Sequence, residues 1–233
     1  MKAIEFNDGW TYRHLDDPGP GIPVTIPHDA MLSEPRTGLS AGGVNTGWYE
    51  GHDYLYEKCF TPGPELAGQK LVLEFEGVYR NAEVSLNGEK LMFRPYGYTN
   101  FYVDITGKVK TGAENTLAVI ARNVDQPNSR WYSGAGIYRP VKLWTAPAKH
   151  IRMNGLRIRT LGIDPAEVEV TVLTEGAGQV CVQICDGGKA VAEGSAQSDG
   201  KAVLTFHVPD GKLWSPESPS LYVCKAAFGE DSS

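Results

Sequence analysis

Residues 84–93, VSLNGEKLMF, decide the fold class of this chain. Two short apolar-rich runs flank Asn87-Gly88, a dipeptide that tolerates positive φ at both turn positions, as a two-residue hairpin requires. Residues 71–76, LVLEFE, alternate with period two and place Glu74 and Glu76 on a predicted solvated strand face. The pattern predicts half-buried antiparallel strands.

The rest of the chain continues this pattern. Residues 167–172, EVEVTV, alternate, and Asp186-Gly187-Gly188 predicts a second hairpin. No stretch has convincing helical periodicity, so frequent turns between strands predict an all-β protein built of β-sandwiches. Downstream of residue 148 the strands are predicted near 151–159, 167–174, 180–186, 202–208 and 221–228.

A domain boundary is predicted where a strand gives way to a short irregular segment. Residues 141–144, VKLW, form the predicted strand, and residues 145–149, TAPAK, separate it from a new set of alternating runs. We therefore expect one domain over residues 1–146 and a second over 147–233.

Composition restricts the class of protein. The 233 residues are 41% hydrophobic and 21% charged, typical of a globular protein. A formal net charge of -6 argues against a nucleic-acid partner, because phosphate-backbone binders use clustered Lys and Arg. No run of about 18 apolar residues predicts a membrane span, and the first residues have no apolar core of an export signal. This predicts a cytoplasmic protein, unless a signal was removed.

The four cysteines, Cys59, Cys181, Cys185 and Cys224, match no zinc spacing. Cys181 and Cys185 are predicted to share one strand face at about 13 Å, beyond disulfide reach. We expect reduced structural thiols and no metal site.

Residues 128–139, NSRWYSGAGIYR, are the most informative stretch for function. Gly134 and Gly136 permit unusual backbone angles, and aromatic faces beside Asn and Arg suit sugar recognition. The alternative is a sandwich corner, in which Trp131 and Tyr138 belong to the core and Arg139 is a buried ion-pair partner.

The chain resembles the N-terminal part of glycoside hydrolase family 2, which includes β-galactosidases, β-glucuronidases and β-mannosidases. The resemblance rests on residues 128–139 together with PHD at 27–29, GWY at 47–49, FEGV at 75–78, VSLNG at 84–88, YTNF at 98–101, DIT at 104–106, NTLAV at 115–119 and LWSPE at 213–217. Ala30 departs from the pattern, because many relatives carry an aromatic residue there.

The resemblance implies a jelly-roll, galactose-binding-like sandwich followed by an immunoglobulin-like sandwich that lacks its last strand. It also implies that the chain is a fragment without the catalytic (β/α)₈ barrel. The family's two catalytic glutamates lie on barrel strands, one of them after an Asn, and this chain has no Asn-Glu dipeptide. No catalytic residue and no cofactor are therefore expected here. The implied partners are a β-linked carbohydrate and the missing barrel, and a homo-oligomer remains open.

In the family, loops of the jelly roll reach the rim of the active-site pocket, and residues 42–49 and 125–131 occupy the corresponding places. The resulting candidates for contact with substrate or barrel are Asn45, Asp125, Asn128, Arg130 and Trp131. For Trp48 and Tyr49, packing in the sandwich core is an equal alternative. Structural roles are expected for His28, Gly134, Gly136 and Arg139.

Two other chemistries find no support in the sequence. His28-Asp29 lacks the nucleophile elbow of a hydrolytic triad, and Gly134-Ala135-Gly136 lacks the third glycine and the βαβ unit of a dinucleotide site. Two functions other than part of a glycosidase stay open: a free-standing carbohydrate-binding module, and a scaffold that only orients a barrel or builds an oligomer.

Overall fold

The computed structural model describes residues 1–232, and it divides them into two compact units. Extended strands dominate both units, and the helical segments described are the 3₁₀ helices Ala30–Ser33, Gly43–Thr46 and Pro64–Leu66. The strands are β1 (Lys2–Glu5), β2 (Trp10–His14), β3 (Ile22–Val24), β4 (Asp53–Phe60), β5 (Lys70–Phe75), β6 (Ala82–Leu86), β7 (Glu89–Arg94), β8 (Phe101–Asp104), β9 (Asn115–Arg122), β10 (Val141–Ala146), β11 (His150–Ile163), β12 (Ala166–Asp186), β13 (Lys189–His207), β14 (Val223–Phe228) and β15 (Asp231–Ser232).

The unit Ala3–Thr145 is a sandwich of two sheets. One sheet has the strand order β3-β2-β4-β9-β6-β7 and the other β1-β10-β5-β8. Their inner faces share one core, in which Tyr54 and Tyr56 of β4 and Leu73 and Phe75 of β5 are fully buried. The two sheets therefore supply opposite walls of a single hydrophobic core.

Local sequence explains the hairpin between β6 and β7. Asn87 and Gly88 have φ values of 52° and 82°, and Leu86 pairs with Glu89 directly across the turn. Positive φ at both turn positions is the geometry of a type I′ turn. The hairpin predicted from Asn87-Gly88 is confirmed.

The prediction that Glu74 of β5 is solvated is wrong. The alternation places Glu74 on a solvated face, but only 7% of this residue is exposed. Its carboxylate accepts hydrogen bonds from Asn100 Nδ2 at 3.0 Å and from the indole Nε1 of Trp144 at 2.7 Å. Period-two alternation identifies the faces of β5, but it cannot show that side chains from other parts of the sheet cover the outer face.

The second unit comprises residues 146–232 together with Met1–Lys2. Its sheet has the order β11-β12-β14-β15, and β13 also pairs with β12. The turn between β12 and β13 has positive φ at Gly187 and Gly188, so the second predicted hairpin is confirmed as well. The strands predicted at 167–174 and 180–186 are two halves of the single strand β12, separated by a register shift between Leu173 and Ala177.

All four cysteines are free, as predicted. The expectation that Cys181 and Cys185 share a strand face is wrong, because Cys181 is exposed whereas Cys185 is buried. A register shift between Ile184 and Cys185 moves the latter to the core side. Within residues 1–232, no helix has the length and apolar character that crossing a membrane would require.

Candidate functional site

Two loops of the unit Ala3–Thr145 form the candidate site, residues 42–49 (the first loop) and residues 125–139 (the second loop). They contact each other through the rings of Tyr49 and Tyr132, whose centroids are 6.1 Å apart. Arg36 donates from Nε to the carbonyl of Gly47 at 2.8 Å, and its guanidinium lies over the Tyr49 ring. The fold therefore brings together the two segments that the sequence indicates as functional candidates.

The first loop is held by its own backbone and hydroxyl groups. Ser40 and Thr46 both donate to the carbonyl of Tyr49, at 2.6 and 2.9 Å. Gly47 ends the 3₁₀ helix with φ of 62°, and Trp48 follows with φ of 69° and a side chain that is 45% exposed. Core packing is thus wrong for Trp48, whereas Tyr49 is partly buried against the core.

Two residues anchor the start of the second loop. The Asp53 carboxylate accepts the backbone N–H groups of Asn123 and Val124, at 2.9 and 3.1 Å. Asn123 is fully buried, and its amide donates to the carbonyl of Gly134 at 3.2 Å. This bond joins two positions eleven residues apart and fixes the width of the loop at its base.

Asn128 belongs to the same internal network. Its Nδ2 donates to Asn123 Oδ1 at 2.8 Å and to the carbonyl of Asp125 at 2.9 Å, while its Oδ1 accepts the hydroxyl of Tyr79 at 3.0 Å. Both amide hydrogens therefore have partners within the domain. The geometry assigns Asn128 to shaping the loop rather than to donating a hydrogen bond to a ligand.

Asp29 holds the following part of the second loop. Its Oδ1 accepts the N–H of Ala135 at 3.0 Å and that of Met31 at 3.1 Å, and its Oδ2 accepts the hydroxyl of Tyr132 at 2.7 Å. Burial, with the charge of Asp29, raises the pKa of Tyr132, so this hydroxyl remains a donor at neutral pH. One carboxylate thus links the helix at Ala30–Ser33 to the loop.

The two glycines are required by close contacts as well as by backbone angles. Gly134 has φ of 67°, and a Cβ there would lie 2.4 Å from Asp29 Oδ2. Gly136 has φ of 107°, and a Cβ there would lie 2.1 Å from the Tyr56 hydroxyl. That hydroxyl lies 2.8 Å from His28 Nδ1, and burial lowers the pKa of His28 against the opposing effect of Asp29. The lowered pKa favours the neutral imidazole, and His28 serves as a packing and hydrogen-bonding group.

The exposed groups of the second loop are those that a ligand or another domain can reach. Trp131 is 60% exposed and donates from Nε1 to the hydroxyl of Tyr98 at 3.1 Å, which fixes the indole while leaving its surface open. Arg130 and Asp125 are exposed, and Asn45 of the first loop is half-buried. Within the described residues 1–232, the side chains of these last three make no hydrogen bond or ion pair.

The sandwich-corner alternative is wrong for Trp131, which is exposed, and for Arg139. Arg139 is exposed rather than buried; it donates to the carbonyl of Tyr98 at 3.3 Å and lies over the ring of Tyr138. Tyr138 is half-buried and donates its hydroxyl to the carbonyl of Gly97 at 2.8 Å. No ion pair of Arg139 occurs in the part of the chain that the structure describes.

Comparison with known proteins identifies the family. The protein-family model described as the glycosyl hydrolase 2 galactose-binding domain-like family matches residues 26–154. A second protein-family model, described as glycosyl hydrolases family 2, matches residues 151–233. The first match covers more than half of the chain. The chain belongs to glycosyl hydrolase family 2.

Its relatives are considerably longer. A β-galactosidase from Bacteroides ovatus is 33% identical over 95% of this chain, which corresponds to 29% of that protein. A putative β-glucuronidase from Formosa agariphila is 32% identical over 94% of this chain and 23% of its own length. The crystal structure of a β-glycosidase from Bacteroides vulgatus is 27% identical and superposes with a TM-score of 0.85, covering 100% of this chain and 33% of that one. The chain thus spans about a third or less of these proteins.

These matches confirm the predicted fold class, a galactose-binding-like jelly roll followed by an immunoglobulin-like sandwich, and the resemblance inferred from the sequence. Reasoning from sequence missed Arg36, Asp53 and Asn123. Arg36 has no distinguishing pattern, and Asp53 and Asn123 stand at strand ends, where a polar residue is ordinary.

Proposed function

We propose that this chain is the non-catalytic N-terminal portion of a retaining β-glycosidase, in which it shapes the rim of the active-site pocket and supports a catalytic barrel. The parent reaction is hydrolysis of a terminal, non-reducing β-linked sugar with retention of configuration. The names of the relatives, β-galactosidase and β-glucuronidase, support this class of substrate, and the share of those proteins that the chain spans supports an accessory role.

The observation that carries the proposal is the contrast within the second loop. Its backbone is fixed from inside by Asp29, Asn123 and Asn128. Arg130 and Trp131, by contrast, point their polar and aromatic surfaces outward. A loop whose backbone is already fixed presents these cationic and aromatic groups to a sugar or a neighbouring domain at a lower ordering cost than a flexible loop would.

A chimera tests this proposal. The chain replaces the matched region of the Bacteroides ovatus β-galactosidase, and hydrolysis of chromogenic β-galactoside, β-glucuronide and β-mannoside is measured for the chimera and for the chain alone. We expect no turnover by the chain alone and turnover by the chimera. Turnover by the purified chain alone would refute the accessory role.

Variants of the chimera then test the rim. Arg130→Ala and Trp131→Ala should each lower kcat/KM about tenfold or more, since each removes a contact worth about 1.4 kcal/mol. Phe93→Ala serves as the control, because Phe93 is a similarly exposed aromatic residue on the edge strand β7, outside both loops. If the three variants had equal activity, the rim role would be wrong, although the chimera would still show the accessory role.

A further inference from the structure

Three potential metal ligands from separate parts of the sequence meet at one place in the unit Ala3–Thr145. His14 is the last residue of β2, His52 directly precedes β4, and Glu34 follows the 3₁₀ helix Ala30–Ser33 as its C-cap. In the β2–β4 ladder His14 pairs with Tyr54. His52, two residues before Tyr54, therefore lies on the same side of the sheet as His14.

The distances within this cluster suit one small cation. His14 Nε2 lies 2.7 Å from Glu34 Oε1, and His52 Nε2 lies 3.8 Å from Glu34 Oε2. One ligand atom from each of the three residues can be chosen so that all lie within 4.8 Å of one another. Tetrahedral zinc, with ligands at about 2.0–2.1 Å, requires ligand atoms about 3.3 Å apart. Bringing the three ligand atoms to this spacing therefore requires separations to change by about 1.5 Å at most, which side-chain rotation can supply.

The chemistry of the three side chains suits a bound cation. The Glu34 side chain is only 8% exposed, and both imidazoles direct Nε2 towards it. The two rings are stacked with centroids 4.3 Å apart and an interplanar angle of 16°, so one ring must rotate for both in-plane Nε2 lone pairs to point at a shared ion. A bound divalent cation then takes one lone pair from each imidazole and neutralises the carboxylate.

The surroundings of the cluster also fit a coordination site. The hydroxyl of Tyr54 donates to Glu34 Oε1 at 3.2 Å and orients the carboxylate, as outer partners of metal ligands commonly do. The side chains of His14 and His52 are about one-third exposed, so water can reach the remaining coordination positions. Two imidazoles and one carboxylate suit zinc and similar transition metals rather than magnesium or calcium.

We propose that His14, Glu34 and His52 form a binding site for a divalent transition-metal ion of the zinc type, with water in the remaining positions. The bound ion joins the ends of β2 and β4 to the segment after the 3₁₀ helix. Its effect is to stabilise this corner of the sandwich, because a ligand that binds only the folded state raises stability by mass action.

Calorimetric titration of the whole chain with zinc chloride tests the proposal. The chain is first stripped of metal with a chelator, and it carries Cys59→Ser and Cys181→Ser, because these exposed thiols could bind zinc themselves. We expect one zinc ion per chain, a higher midpoint of thermal unfolding, and no binding of magnesium chloride. Absence of saturable zinc binding would overturn the proposal.

Ligand variants locate the site. His14→Gln and His52→Gln should each weaken zinc binding at least about tenfold, since even partners of ligands contribute this much. His207→Gln should leave it unchanged, because His207 is an exposed histidine of β13 outside the cluster. Zinc affinity that survives both cluster substitutions would show that the metal binds elsewhere.

A measurement on a chain that keeps all five histidines locates the site even if the histidine variants fail to fold. The chain has five histidines, and nitrogen chemical shifts of labelled imidazoles report zinc coordination directly. Zinc should shift the signals of two histidines, those of His14 and His52, and leave His28, His150 and His207 in place. Shifts at any other pair would contradict the assignment.

Discussion

At the scale of single residues, the shape of the second loop depends on one carboxylate and the space left beside it. Asp29 accepts three hydrogen bonds from Met31, Tyr132 and Ala135. Gly134 passes so close to this carboxylate that a methyl group would overlap with it. The hydrogen bonds of Asp29 and the absence of a side chain at Gly134 therefore depend on each other, and a change at either residue disturbs the loop.

Replacing Gly134 with alanine should destabilise the chain by about 3 kcal/mol, the size expected of strain combined with overpacking. Gly112→Ala is the matched control. Gly112 has almost the same φ, 72° against 67°, but a Cβ added there would meet no atom within 4 Å. Gly112→Ala should therefore lower the free energy of unfolding only by the backbone strain at positive φ, about 1 kcal/mol. Urea unfolding followed by tryptophan fluorescence measures both; equal costs would mean that the contact with Asp29 is unimportant.

The carboxylate of Asp29 also affects how the free energy of unfolding depends on pH above pH 10. Burial, together with Asp29, raises the pKa of Tyr132 in the folded state above the ordinary value of 10.0. Above pH 10 the unfolded chain then binds fewer protons than the folded chain, so this contribution to stability is full below pH 10 and is lost as the pH rises. Tyr132→Phe should make the decline in the free energy of unfolding above pH 10 shallower. An unchanged decline would contradict the role of the Tyr132–Asp29 bond.

At the scale of strands, Glu74 on β5 shows how a sheet can bury a charge on its outer face. Burial alone would raise the pKa of this carboxyl, but hydrogen bonds from Asn100 and Trp144 and the charge of Lys142 outweigh it and lower the pKa. A carboxyl whose pKa is lowered in the folded state contributes stability above its ordinary pKa of about 4.5, and this contribution is lost as the pH falls.

Trp144→Phe should therefore destabilise the chain by about 1.5–3 kcal/mol at pH 7, the value for a hydrogen bond to a charged group. The loss should shrink as the pH is lowered from 4.5, because protonated Glu74 no longer depends on the indole N–H. Trp214→Phe is the control, since Trp214 is 60% exposed and donates no hydrogen bond within residues 1–232. Chemical unfolding of both variants at a series of pH values tests this prediction. A loss of stability in Trp144→Phe that does not change with pH would indicate that Trp144 contributes by packing and not by its hydrogen bond to Glu74.

The elements that sequence predicts best are those fixed by local chemistry. Asn87-Gly88 and Gly187-Gly188 determine their turns within four residues, so both hairpins can be recognised. The covering of Glu74 depends on Trp144, which lies 70 residues further along the chain. No local pattern contains that information.

The same distinction applies to the candidate site. Aromatic and polar residues flanking two glycines indicate the second loop, but the assignment of Asn128 requires the positions of Asn123 and Tyr79. Glu34 follows His14 by 20 residues and precedes His52 by 18, a spacing that matches no metal-binding motif. These three side chains come together only because β2 pairs with β4 and because the 3₁₀ helix Ala30–Ser33 places Glu34 beside these strands.

At the scale of the whole chain, binding of sugar depends on how much of the ligand is enclosed. Trp131 and Arg130 are exposed on the jelly-roll unit, and the chain spans only about a third or less of its relatives. An open surface buries little of a monosaccharide and leaves its hydroxyl groups competing with water, whereas ligand pockets bury most of the ligand. The isolated chain should therefore bind sugars weakly.

We expect affinities no better than about 1 mM, or about -4 kcal/mol, for galactose, glucuronate, mannose and their β-linked disaccharides. Calorimetry, together with mapping of amide chemical shifts, measures the affinity and shows whether the signals of Arg130 and Trp131 respond. Trp131→Ala should remove the weak response, while Phe93→Ala should retain it. Micromolar binding that Trp131→Ala abolishes would instead favour a free-standing carbohydrate-binding module, because such affinity requires a site complete within this chain. No response at any concentration would favour a scaffold whose loops contact only protein.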